Sequence, residues 1–250
     1  GLEMQLSRFA EADRDYQQAL ALSERVGGRT QALATDLANH AGLKNTLGEH
    51  AAAAAQARRA LAVLDAVAPG DNLTRGNAEL ELAKALERLQ QGTEAEAAAL
   101  RAERAFVAAY GADHDYVHYV AITRARIDAL RGDAAGARTR IEATLAHFRE
   151  RGATGAVAAC LSVASSLALA RGDLDAADAL ARELVEIQRG RGQPEHWRVA
   201  AAEAEWAEVA AARGEHSAAI ALLDHAEPIL RATFGPAHWR TQRAAALRVR

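Results

Sequence analysis

The chain has 250 residues, of which 50% are hydrophobic, 25% charged and only 4% aromatic. Roughly a quarter are alanine, the strongest helix former, which excludes a β sandwich or barrel and disfavours an α/β sheet, since strands draw on β-branched and aromatic residues. A net charge of −3, with 30 Lys+Arg interleaved among 33 Asp+Glu, argues against a nucleic-acid partner, and the single cysteine, Cys160, excludes an intrachain disulfide framework.

In chain order, helix-periodic runs fall near 8–26, 30–46, 50–67, 72–90, 93–110, 115–130, 134–151, 155–171, 174–190, 196–213 and 216–234, with a last run from 238. Turn residues separate them: Gly27-Gly28, Pro69-Gly70-Asp71, Gly111, Gly152, Gly190 to Pro194 and Gly235-Pro236. Pro228 falls inside a run and predicts a local bend there. No apolar stretch is long enough to span a membrane, and no signal-peptide pattern is present. The segment is therefore expected to lie in the cytoplasm and to make no membrane contact.

The runs repeat. Gly48, Gly92, Gly132, Gly172 and Gly214 each precede an alanine-rich helix, and Ala53, Ala97, Ala137, Ala177 and Ala219 follow them at a fixed distance. With Ala12 in a first copy that lacks the glycine, the spacings are 41, 44, 40, 40 and 42. A second small residue lies seven positions before each glycine: Ala41, Ala85, Ala125, Ser165 and Ala207. Small residues let two helices approach closely, and the glycine ends the first helix in a left-handed conformation. Each unit is thus a hairpin of a first (A) and a second (B) helix. The alanines that follow the glycines are expected to be buried where helices cross.

The glycine turn, the small residues on both helices and the pattern Phe9, Ala12, Tyr16, Ala19, Leu20 resemble the tetratricopeptide repeat (TPR) family. The unit length, with Gly111-Ala-Asp-His114 and Gly235-Pro-Ala-His238 between units and a longer version ending at His196, resembles its kinesin-light-chain-like type. The resemblance implies an all-α, right-handed superhelical solenoid of about twelve helices. It forms a single array with units near 1–28 (partial), 29–70, 71–112, 113–153, 154–193, 194–236 and a terminal helix at 237–250. One departure stands out. The family has a large aliphatic residue eight positions before the glycine, whereas this sequence has His40, Lys84, Arg124, Ala164 and Trp206.

The resemblance also implies a concave face lined by A helices. Carried over, it selects Glu79, Leu82, Leu86 and Leu89, then Tyr119, Ile122, Arg126 and Leu130, then Ser162 and Ser166, and finally Glu208. The apolar middle of this set reads either as a groove for a peptide or as packing between neighbouring A helices. A carboxylate clamp of the kind some TPR domains carry would have only Arg126 as an anion donor. His114 and His118 share a helix face and could hold a divalent metal, but two ligands do not make a site, and a helix start capped by Asp113 or Asp115 explains the segment as well. His196-Trp197-Arg198 recurs as His238-Trp239-Arg240, reading either as an anchor against the preceding B helix or as an aromatic and arginine edge for a partner. Cys160 reads as a small core residue. No phosphate loop, nucleophile elbow or zinc-protease motif is present.

The function expected is therefore a non-catalytic domain, without cofactor or bound metal, that binds a protein or peptide segment. The rival is a ligand-sensing domain controlling an attached kinase or DNA-binding domain. Residues 1–6 read as the tail of an A helix and 239–250 as an A helix without a B partner, which suggests a piece of a longer chain. Alanine and arginine richness suggests a bacterial source. Similar arrays adjoin bacterial Ser/Thr protein kinases and regulators, which implies the regulatory or recruiting part of a signalling protein.

Overall fold

The computed structural model describes residues 2–25 and 28–248, with their side chains apart from residues 2–7 and 24. The expectations for Gly27, for the side chains of Leu2, Met4 and Leu6, and for Val249 lie outside the described residues. Twelve helices and no strand occur among the described residues. They are α1 (Leu2–Arg25), α2 (Gln31–Thr46), α3 (His50–Val67), α4 (Leu73–Arg88), α5 (Gly92–Tyr110) and α6 (Asp115–Leu130). They continue as α7 (Ala134–Glu150), α8 (Thr154–Ala170), α9 (Leu174–Arg191), α10 (Trp197–Ala212), α11 (His216–Phe234) and α12 (Trp239–Arg248). Even-numbered helices are the A helices. No turn separates residues 1–6 from a B helix, because α1 is continuous from Leu2. And α11 runs through Pro228 without a break.

Local chemistry sets the helix starts. Thr30 accepts from the Leu33 amide at 3.1 Å and Asn72 from the Arg75 amide at 2.9 Å. Asp133 and Asp173 do the same for Gly136 and Ala176. His114, His196 and His238 cap α6, α10 and α12 through Nδ1, which accepts from the amide two residues on at 3.1–3.2 Å.

The A-to-B turns share one design. The Glu49 amide bonds to the Lys44 carbonyl, Gln91 to Leu86, Asp133 to Asp128, Asp173 to Ala168 and Glu215 to Ala210, all at 2.8–3.0 Å. This six-to-one bond closes a helix end whose next-to-last residue is left-handed. That residue is Gly48, Gly132, Gly172 and Gly214, with φ between 76° and 87°, but in the second hairpin it is Gln90, with φ 63°. Gly92 is instead the first residue of α5. The repeat of this turn runs 48, 90, 132, 172, 214, so the spacings are 42, 42, 40 and 42, and the glycine phase is two residues off in this hairpin alone.

The correction propagates. Ala53, Ala137, Ala177 and Ala219 are buried as expected, but Ala97 is exposed and Ala95 is buried in its place. The residue eight positions before the turn in α4 is Leu82, not Lys84, so this hairpin keeps the aliphatic residue of the resembled family. It is 4% exposed and sits in a core cluster with Ala41, Ala53, Ala54, Ala83, Leu86, Ala95 and Phe106. Packing there is close: a Cβ on Gly76 would lie 2.6 Å from the Phe106 ring. A glycine is required at that contact.

The helices group into two compact blocks. In the block Arg8–Arg140, α4 packs on α5, α2 on α3 and α3 on α4, and the A helices α2, α4 and α6 touch in a row. In the block from Ile141, α8 packs on α9, α9 on α10 and α10 on α11, and α8, α10 and α12 form a corresponding row. Its main core joins Ala200, Ala207, Ala219, Leu223, Ala226, Leu230 and Ala244.

Candidate binding faces

The A helices of the first block bury two sides and leave one open. On α4 the residues that are not buried are Leu73 and Arg75 at its start and then Asn77, Glu81, Lys84, Glu87 and Arg88, of which Asn77, Glu81, Lys84 and Arg88 lie about one helical turn apart. The same repeat positions on α2 are Thr35, Asn39, Gly42 and Thr46, and on α6 they are Tyr119, Thr123, Arg126 and Leu130, of which Thr123 is buried. Neighbouring rows meet. Asn45 donates to the Glu81 carboxylate and carbonyl at 2.9 Å, and Lys84 Nζ lies 2.7 Å from the same carboxylate. The carboxyl carbon covers Gly42, 3.4 Å from where a Cβ would stand. Arg126, the next-row equivalent of Lys84, is half-buried and has no acidic partner among the described residues.

The sequence-selected residues divide accordingly. Glu79, Leu82, Leu86 and Ile122 are buried, so they cannot line an open groove; the two-residue slip put the first three on the wrong side of α4. Glu79 is held by Arg101 at 2.6 and 2.9 Å. Leu89 is exposed, but it is the residue that ends α4. Tyr119 is exposed, while Arg126 and Leu130 are half-buried on the open side. Asn77, Glu81, Lys84 and Arg88 were missed, and the repeat of the six-to-one turn is the signal that finds them.

In the second block, Ser162 is half-buried, Ser166 is exposed and half-buried Glu208 pairs with Arg243 of α12. Glu208 also lines a cleft of about 770 Å³ with Leu169, Ala212, Ile220, Arg243 and Leu247. His196 and His238 start their helices beside Trp197 and Trp239. Trp197 meets Phe234 edge-on at 5.3 Å, so it anchors α10 to the following B helix rather than the preceding one. Arg198 and Arg240 lie over the Trp197 ring at 4.6 and 5.4 Å.

His114 and His118 are not brought to one site; among the described residues the ligand atoms of Asp113, His118 and His147 lie within 4.8 Å of one another. His114 Nδ1 is used as a helix cap, and its ring stacks on Tyr110 at 4.3 Å and Tyr116 at 5.2 Å. His118 faces Asp113 at 3.8 Å. Cys160 is fully buried, in keeping with a small core residue.

The polar residues eight before the turn are also accounted for. His40 Nε2 meets Asp13 at 2.8 Å, Arg124 meets Glu96 at 2.8 Å and Glu103 at 2.6 Å, and Trp206 Nε1 donates to Asp178 at 2.8 Å. Burial opposes ionisation of Asp13, but hydrogen bonds from Lys44 and His40 outweigh it and hold the carboxyl below its ordinary value. At Asp178 burial is likewise outweighed, by hydrogen bonds from Trp206 and Arg182.

Twelve helices in hairpins, closed by one repeated turn, match solved structures over most of the chain. The chain has the fold of the TPR-like repeat proteins. BtubC (BKLC) from P. vanneervenii aligns over 94% of this chain and 93% of its own, at 19% identity and a TM-score of 0.60. The nearly identical TPR-like repeats of a Podosopora anserina kinesin light chain cover 82% of this chain and 98% of theirs, at 19% identity and a TM-score of 0.57. A Rap protein complexed with Competence and Sporulation Factor aligns over 89% of this chain and 64% of its own, at 12% identity and a TM-score of 0.71. These TPR-like neighbours include the kinesin-light-chain type that the Gly-x-x-His turns resemble. No protein-family model and no curated protein matches the sequence. No described helix is long and apolar enough to cross a membrane.

Proposed function

We propose that the chain is a protein-interaction domain whose first block receives an extended, acidic segment of a partner along the open side of α2, α4 and α6. The observation that carries this reading is Arg126, a half-buried guanidinium without an acidic partner among the described residues, at the repeat position next to Lys84. Guanidinium forks recognise carboxylates with two parallel hydrogen bonds. Asn77 and Asn39 add amide donors and acceptors suited to a peptide backbone. The Rap protein of like fold that is complexed with Competence and Sporulation Factor supports a binding role.

Composition and the resemblance to kinesin-light-chain-like arrays support a finer reading, in which this is the cytoplasmic regulatory or recruiting part of a larger bacterial signalling protein, without catalysis of its own. The test is direct titration with acidic and basic peptides of equal length. The acidic peptide is expected to bind, more weakly at high salt. Lys84→Glu with Arg126→Glu is expected to weaken it about tenfold or more at unchanged helicity. Equal affinity of both peptides, or an unaffected double variant, would overturn the reading.

A further inference from the structure

Two arginines without an acidic partner among the described residues lie in the other block, where α9 leads into α10. Arg191 ends α9 and packs over Gly155 in the first turn of α8, so closely that a Cβ there would stand 2.9 Å from Nη2. Arg198 lies in the first turn of α10, its guanidinium 4.6 Å from the centre of the Trp197 ring. Stacking fixes the plane of a guanidinium and leaves its in-plane N–H donors free. Among the described residues neither arginine has an acidic partner, although most other arginines in the block do: Arg189 holds Glu203, Arg182 holds Asp178 and Arg213 holds Asp175 and Glu215. Desolvation, then repulsion from Arg191, lowers the Arg198 guanidinium from its ordinary value. Burial, then Arg198 and Arg191, does the same to the His196 imidazole. Among the described residues no acid lies against either guanidinium.

We propose that Arg191 and Arg198, beside Gly155 and Trp197, form a site for a phosphoryl dianion. Two uncompensated guanidinium charges match the charge of about −2 that a phosphoryl group carries near neutral pH better than the single charge of a carboxylate. Three acceptor oxygens can engage both forks, and Gly155 admits the Arg191 fork against α8 because it has no side chain.

Trp197 supplies the readout. Inorganic phosphate, a phosphoserine peptide, its unphosphorylated form and acetate would each be titrated against the whole chain carrying Trp206→Phe and Trp239→Phe, following fluorescence. Saturable change with inorganic phosphate alone assigns a free-phosphate ligand, and change with the phosphopeptide as well assigns a phosphorylated partner; both support the site. Arg191→Ala and Arg198→Ala are each expected to weaken binding about tenfold or more. Arg191→Ala leaves Trp197 and its stacked arginine in place, so it reports on the anion alone. Lys84→Glu is expected to have no effect, which separates this site from the face on α4. No saturable change with either phosphoryl probe, equal response to acetate, or binding that survives Arg191→Ala would overturn the proposal.

Discussion

Three imidazoles act as helix caps, and a cap that accepts through Nδ1 works only while that nitrogen is unprotonated. Protonation would remove the acceptor and place a positive charge at a helix start, where the macrodipole is already positive. At His196 the folded state resists that charge: burial, then Arg198 and Arg191, lowers its pKa. The unfolded chain therefore binds more protons as pH falls. The contribution is fully present above the unfolded value of about 6.5 and is lost as pH falls through the lower folded value. Replacing His196 by Asn, a cap that does not titrate, is expected to flatten stability between pH about 6.5 and 5, with a change on the order of 1 kcal/mol at most. Urea midpoints across that range would check it; an identical slope in both proteins would rule the cap out as its source.

Among elements, the hairpin boundaries were legible because glycine turns and inter-unit punctuation are local. The phase of the second hairpin was not, because the left-handed residue is Gln90 and Gly92 is a decoy two positions on. No local rule selects glutamine for that conformation; the turn is fixed by the Gln91-to-Leu86 bond and by burial of Leu82 and Leu86. Replacing Ala95 by Leu is therefore expected to cost about 1–3 kcal/mol through overpacking, while Ala97→Leu stays within about 0.5 kcal/mol. The earlier phase predicts the reverse, and denaturant titration of the two variants separates them.

The positions eight before the turn carry a second lesson. In isolation His40, Arg124 and Trp206 are only departures from the aliphatic residue of the resembled family. Each in fact meets an acid one residue past the small position of the preceding B helix: Asp13, Glu96 and Asp178. Ala54 and Leu82 hold the same two positions between α3 and α4, within one apolar cluster. Polar and apolar junctions thus use one geometry with matched partners, which was invisible until both halves of each pair were in phase. Arg124→Ala alone is expected to cost about 2–3 kcal/mol by stranding Glu96 and Glu103, a value reduced for the partial exposure of the group. Copying the apolar junction with Glu96→Ala and Arg124→Leu together is expected to stay within about 1 kcal/mol of the parent. A double variant as unstable as Arg124→Ala would show that the ion pair is irreplaceable there.

For the whole molecule, fold class and helix number followed from composition and repeat length, because each hairpin needs only its neighbours to bury its apolar stripe. The binding face did not follow, since two residues of slip turn a helix through about 200° and exchange its buried and open sides. Leu82 and Leu86 then fall in the core, and Asn77, Glu81, Lys84 and Arg88 lie on the other side of α4. The measurement that tests this most directly is thiol labelling of folded single variants, with Cys160 silent because it is fully buried. Cysteines replacing Lys84 and Arg126 are expected to react under native conditions at close to the rate of an open thiol, whereas those replacing Leu82 and Leu86 should react only on unfolding. Faster labelling at Leu82 and Leu86 than at Lys84 and Arg126 would contradict the assignment of the open face, and with it the proposed acidic partner.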